Sequence, residues 1–213
     1  MKEWPAILKH KNSFTKATEL AVVVGIITSI LVLTTQRSQN DTIWLVGNFL
    51  SSSGNDLFLV CTNLGIIGWA WRKQLMSVIK LTLLLDLSVW IFVQGIKLIH
   101  IYPWYLRPNG GTGGFPSGHA THAFAMAFLL TLYFPRLAWF WYACAAGISW
   151  SRVETEWHTG FQVIAGIVLG TGLVWLYVTR WMTHPEAAVI NLQSEYIRQD
   201  RKIRGQQAYL ADS

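Results

Sequence analysis

The stretch 75–100, "LMSVIKLTLLLDLSVWIFVQGIKLIH", carries only three formal charges, Lys80, Asp86 and Lys97. That limits what the chain can fold into. A helix needs about 20 mostly apolar residues to cross the hydrocarbon core of a bilayer. In lipid every backbone N–H and C=O must be satisfied internally, so helices and closed barrels are the only spanning structures. Five further apolar runs resemble this one: Ala17–Thr35, Leu57–Trp71, Ser117–Phe134, Leu137–Trp150 and Phe161–Val178. The 213-residue chain is 13% charged and 52% hydrophobic, against about 25% charge in an ordinary soluble domain. The expected fold is an all-α polytopic membrane protein, one domain over 1–213, with six transmembrane helices in a bundle. Residues 1–16 and 180–213 flank it.

The net charge of +6 does not point to nucleic acid, because the basic residues gather at the two ends and in short connectors. Lys2, Lys9, Lys11, Lys16, Arg72, Lys73, Arg136, Arg180, Arg198, Arg201, Lys202 and Arg204 fall on one side of a six-span layout. By the positive-inside rule that side is cytoplasmic. Both termini are therefore expected inside, in a bacterial cytoplasmic (inner) membrane, with no cleavable signal peptide before the first run. Trp71, Trp104, Trp150, Trp157 and Trp181 lie near run ends and fit an interfacial belt or packing. Cys61 and Cys144 sit in apolar stretches, read as buried small hydrophobes, and their spacing suggests no zinc site. No metal and no cofactor is expected, and oligomeric state is not legible.

The opposite face collects the residues suited to chemistry. "GGFPSGHATHAF" (113–124) sets Pro116, Ser117, Gly118 and His119 at the start of an apolar run. Proline suits the first helical turn, and a helix N-terminus presents free N–H groups to an anion. A histidine in that turn adds a proton donor. "KLIHIYPWYLRP" (97–108) supplies Lys97, Arg107 and Pro108, and "SRVETEWH" (151–158) supplies Ser151, Arg152 and His158. Arginine's planar fork matches phosphate oxygens. Three connectors on one face can thus converge on one phosphoryl group.

In these motifs the chain resembles the type 2 phosphatidic acid phosphatase superfamily, integral-membrane lipid phosphate phosphatases related in fold to vanadium chloroperoxidases. The family pattern is Lys-x6-Arg-Pro, Pro-Ser-Gly-His and Ser-Arg-x5-His-x3-Asp. The second motif matches in full at 116–119, and the third matches at Ser151, Arg152 and His158. The resemblance implies that His158 attacks phosphorus to form a phosphohistidine. His119 would protonate the leaving alkoxide and then activate water. Arg107, Arg152, Lys97, Ser117 and Gly118 would hold the phosphoryl oxygens, with Pro108 and Ser151 completing the motifs. A metal-independent, extracytoplasmic lipid phosphatase is implied. Its substrate would be a membrane lipid phosphate, with phosphatidic acid or phosphatidylglycerol phosphate ahead of a polyprenyl pyrophosphate or the phosphates of lipid A. A lipid phosphotransferase and a non-catalytic lipid-phosphate binder or transporter are the alternatives.

Two positions depart from the pattern. The first-motif lysine position is His100, with Lys97 one helical turn earlier, so either residue supplies the cation, and Lys97 is favoured as the permanent charge. Gln162 stands where the family has aspartate. Its carbonyl can orient His158 but supplies no charge. Glu154 or Glu156 either compensates or is a solvated loop charge. If the missing charge limits turnover, Gln162→Asp should raise it. Asp86, about 16 Å along a helix from Lys97, is expected to be buried, hydrogen-bonded or protonated rather than catalytic. His122 either lines a headgroup cavity or packs. His10 and His184 are expected on the cytoplasmic side.

Overall fold

The computed structural model describes residues 11–183, whose regular structure is entirely helical. In chain order come α1 (Lys11–Thr34), α2 (Asp41–Phe49), a π-helical turn (Leu50–Gly54), α3 (Asn55–Arg72) and α4 (Met76–Leu98). Then follow α5 (Gly118–Tyr133), a 3-10 turn (Pro135–Leu137), α6 (Ala138–Glu154) and α7 (Gly160–Thr183). One compact unit runs through Trp175. A second begins at Leu176, and its described part is the helical end of α7. The expectations for His10, His184 and most of the basic tail fall outside the described residues.

Among the described residues three helices are long and apolar enough to cross a membrane: Ser13–Thr34 within α1, Met76–Leu98, and Gly160–Arg180 within α7. Their outward faces are apolar, with Val22, Ile26, Ile30 and Leu33 exposed on α1 and Leu83, Leu87 and Trp90 on α4. Water would not tolerate such continuous patches, and lipid does. This gives the chain the character of an integral membrane protein.

The other three expected spans form helices, but α3, α5 and α6 have 18, 16 and 17 residues. Sixteen residues make about 24 Å of helix, short of a hydrocarbon core of about 30 Å. The apolar run 117–134 owes its character to a different cause. Ala120, Phe124, Phe128 and Leu129 on α5 are fully enclosed, and α5 packs against α1, α3, α4 and α6. A helix apolar on every side is one covered on every side.

α7 joins this core through Gly166 and Gly170, where an added Cβ would stand 2.5 Å from the Ser117 carbonyl and collide with that of Thr121. Small residues four apart let the two backbones close up. The pairing sets the α7 N-terminus beside the start of α5.

Residues 41–54, between the first two apolar runs of the sequence, also form helix. Asn40 caps α2 by accepting from the Thr42 and Ile43 N–H groups. Phe49, Leu50, Gly54 and Asn55 all keep right-handed helical angles. The rod therefore passes through the π turn into α3 unbroken. Cys61 is exposed on α3 and Cys144 is half-buried, so neither is the fully buried residue expected.

Candidate active site

The α5 N-terminus differs by two residues from its sequence reading. Helix starts at Gly118 with Ser117 as cap, so Pro116 precedes the cap rather than opening the first turn. Ser117 is fully buried, and its Oγ has no hydrogen-bond partner among the described residues. Its N–H donates to the Gln162 carbonyl at 2.9 Å, which ties the α5 turn to α7.

His158, in the five-residue link between α6 and α7, is 2% exposed. Its Nδ1 lies 2.8 Å from the Gly114 carbonyl and 3.2 Å from Gln162 Oε1. A carbonyl only accepts, so Nδ1 carries the proton and Nε2 keeps its lone pair. The backbone N–H of His158 donates to the Arg152 carbonyl at 2.9 Å, which fixes the ring to the end of α6. Burial, then the Arg152 and Arg107 charges, hold this imidazole well below its usual value, although the Gly114 bond opposes them. His158 is a neutral imidazole with a fixed orientation.

The Gln162 amide is fixed by four contacts. Its Nε2 donates to the Trp104 and Leu106 carbonyls at 2.6 and 2.7 Å, and its Oε1 accepts from the Thr159 N–H at 3.0 Å while facing His158. Both amide protons are spoken for, so the oxygen can only point at the imidazole. Gly114 is required beside it, because a Cβ there would lie 2.5 Å from Gln162 Nε2. An amide suits this position and a carboxylate does not, since two carbonyl oxygens already demand donors.

Glu154 and Glu156 are engaged elsewhere. Glu154 Oε1 accepts from the Ser38 N–H at 2.9 Å, and Glu156 pairs with Arg37 at 2.7 Å on the surface.

Arg152 is 5% exposed, and its Nη1 donates to the Ser51 carbonyl at 2.7 Å and to the Ser51 hydroxyl. Thr155 Oγ1 donates to the same Ser51 Oγ at 3.1 Å. Ser51 lies in the π turn, and such turns often sit at functional sites. Arg107 reaches the Gly113 carbonyl with Nη2 at 3.4 Å. The two guanidinium carbons lie 5.1 and 5.4 Å from the centroid of the Trp157 ring, which offers both a cation–π face. Burial, then Arg107, lowers Arg152 to about 10, which leaves it cationic at neutral pH, and burial lowers Arg107. Each guanidinium also has a buried Nε without a partner among the described residues. Among the described residues no carboxylate forms an ion pair with Lys97, Arg107 or Arg152.

Lys97, at the end of α4, borders the site: a Cβ on Gly113 would stand 3.7 Å from its Cδ. His100 is exposed and sets its ring edge-on to Tyr105 at 5.5 Å. Lys97, Gly118, His119 and His122 line one cavity of about 250 Å³. His122 Nε2 is 3.4 Å from Asp86 Oδ1. Ser151 donates its hydroxyl to the Ile148 carbonyl within α6, and Pro108 is exposed in its loop. Sequence reasoning did not find Gly114, Ser51, Thr159 or the two carbonyls that hold Gln162. It assigned Trp157 only to an interfacial belt or to packing.

Three cations that pair with no carboxylate among the described residues, two histidines and a buried serine hydroxyl thus belong to one end of an all-helical chain, a set whose chemistry suits a phosphoryl group. The chain belongs to the PAP2 superfamily, whose model matches residues 57–185. Members are typically phosphatases, and membership implies phosphatase-type activity on phosphate esters. No curated protein and no solved structure matched the chain.

The depressed His158 value has a measurable consequence. An unfolded histidine takes a proton below about pH 6.5, and folded His158 refuses it. Stability is therefore lost as pH falls through that value. Between about pH 7.5 and 5.5 the melting temperature in detergent is expected to drop less for His158→Gln than for the parent. Equal drops would contradict the assignment.

Proposed function

We propose that the protein is a metal-independent lipid phosphate phosphatase, one membrane-embedded domain with six spans, both termini cytoplasmic and the site at the outer face. The observation that carries this reading is the His158 geometry: Nδ1–H held by the Gly114 carbonyl, which leaves the lone pair on Nε2, near cations that pair with no carboxylate among the described residues. In the first step Nε2 attacks phosphorus, the P–O ester bond breaks, and His119 gives its proton to the departing alkoxide. In the second step His119 takes a proton from water, whose oxygen displaces His158 and releases inorganic phosphate. Arg107, Arg152, Lys97, the Ser117 hydroxyl and the Gly118 N–H hold the non-bridging oxygens. Phosphate-ester hydrolysis is among the slowest uncatalysed reactions, and general acid catalysis supplies only about 10²–10⁴. Fixed charges aimed at the transition state supply the larger share.

The substrate on this reading is a phosphate on a membrane lipid, whose apolar part lies against the lipid-facing helices. The test is phosphate release by purified protein in detergent from a panel of lipid phosphates, with chelator present. Release is expected to continue in chelator and to disappear in His119→Ala. A metal requirement, or transfer of the phosphate to a second lipid instead of water, would overturn the hydrolase reading.

Gln162 contributes as a positioning residue. Gln162→Glu sets a carboxylate against the Trp104 and Leu106 carbonyls, and Gln162→Asp falls one methylene short of them. Leaving a buried acceptor unsatisfied costs about 1–3 kcal/mol. Gln162→Glu is expected to lower kcat by about 10- to 100-fold and to change KM little. A rise in kcat would mean that the missing charge, and not the amide clamp, limits the reaction.

A further inference from the structure

Residues 98–106, from the end of α4 to the residue before Arg107, turn a run of apolar side chains outward. Leu98 and Tyr102 are each 75% exposed, and Ile99, Trp104 and Leu106 are exposed as well. The Trp104 ring also meets Phe161 in the first turn of α7, with centroids 5.2 Å apart, and Phe161 is exposed too. The patch therefore joins the ends of two helices that are long and apolar enough to cross a membrane, α4 and α7. It continues, past the helix end, the apolar face that α4 presents at Leu87, Trp90 and Ile91. A contiguous patch of this kind marks a contact surface.

Its chemistry sets the depth of that contact. Non-helical backbone open to lipid is not tolerated in the hydrocarbon core, and residues 99–106 form no helix. His100, Tyr102 and Trp104, all exposed, each pair an apolar ring with a polar tip, which suits the headgroup layer.

The inner side of the same segment faces the active site with three successive carbonyls. Those of Trp104 and Leu106 accept from Gln162 Nε2 at 2.6 and 2.7 Å, and that of Tyr105 accepts from the Gly114 N–H at 2.7 Å. Gln162 and Gly114 are the two groups that face His158 Nδ1. One short stretch of backbone thus carries the outward rings and both supports of the imidazole.

We propose that residues 98–106 form an interfacial strap whose outer side chains sit in the headgroup layer of the bilayer, and that the seated strap keeps Gln162 and Gly114 on His158. The partner is the lipid surface at the membrane edge where α4 ends. The seat rests on the exposed residues; its effect on turnover rests on the phosphatase reading.

The test uses the full chain in phosphatidylcholine/phosphatidylglycerol bilayer discs and has two arms. In the first, both native cysteines are replaced by alanine and a nitroxide is attached to Tyr102→Cys. The label is expected to collide more often with oxygen, which dissolves in lipid, than with a water-soluble nickel chelate. A label on Gln39→Cys, exposed in the polar connector after α1, is expected to show the reverse. A Tyr102→Cys label that favours the chelate overturns the seat. Shielding from both reagents, as in a contact between two copies, overturns it as well.

The second arm measures phosphate release from soluble dihexanoylglycerol phosphate, so that partitioning of substrate into the disc plays no part. Ile99→Ser/Tyr102→Ser is expected to lower kcat by about tenfold with little change in KM, as small displacements of a reacting group do. In a Gln162→Glu background the same pair is expected to lower kcat no further, because residues acting through one contact network are not additive. Ile99→Ser alone serves if the pair does not fold. An unchanged kcat, or the same fold-loss in both backgrounds, overturns the link to His158. Absence of release from this probe and from its dioleoyl counterpart overturns the phosphatase reading, whereas the nitroxide result decides the seat independently.

Discussion

His158→Ala is expected to reduce lipid phosphate hydrolysis by at least about 10⁴-fold, the scale on which removing an enzyme's nucleophile acts. The ring is enclosed, its Nδ1–H is committed to the Gly114 carbonyl, and its backbone N–H is bonded to Arg152. Nε2 is the only part of the side chain left to react. His158→Gln separates chemistry from packing, because its amide can still donate to Gly114 yet has no nucleophilic nitrogen. Equal loss in both variants, with unchanged melting temperature at neutral pH for His158→Gln, assigns the effect to the attack on phosphorus. Activity within about tenfold of the parent in either variant would remove His158 from the mechanism.

Arg152→Ala ranks second, with an expected fall in kcat/KM of about 10²–10³-fold, the range for one lost oxyanion donor. Ser51 grips Nη1 of this side chain through both its carbonyl and its hydroxyl. On the proposed reading Nη2 and Nε, the latter without a partner among the described residues, meet the phosphate oxygens. Lysine offers one rotatable point charge in place of that fork, so Arg152→Lys is expected to recover little.

Ser51→Ala, which keeps the carbonyl and loses the hydroxyl, is expected to weaken inhibition by inorganic phosphate several-fold, and Ser51→Thr to restore it. Recovery of most activity in Arg152→Lys would show that charge alone suffices and that the fork is not used.

The motif residues were legible because their chemistry is carried by side chains at fixed spacing. Lys97, Arg107, Ser117, His119, Arg152 and His158 could all be named from three short strings. What supports them was not legible, for a physical reason. The group that fixes the His158 tautomer is a backbone carbonyl, and carbonyls leave no trace in a sequence. Gln162 read as a weakened aspartate, because its two donors find their acceptors 58 and 56 residues away. Ser51 lies 101 residues from Arg152, between two apolar runs and outside the family match. Hydropathy marked the helices but not their surroundings, for a related reason. It cannot distinguish a helix facing lipid, such as α1, from one enclosed by other helices, such as α5.

The most direct measurement is to trap the phosphoenzyme. Phosphohistidine survives alkali, so protein mixed with a ³²P-labelled lipid phosphomonoester, quenched in base and digested, retains any transferred phosphate on its peptide. The account predicts label on the peptide containing His158, lost on a chase with unlabelled substrate and missing from His158→Gln. Label on His119 instead, or phosphate released at full rate with no labelled peptide at any time, would contradict it.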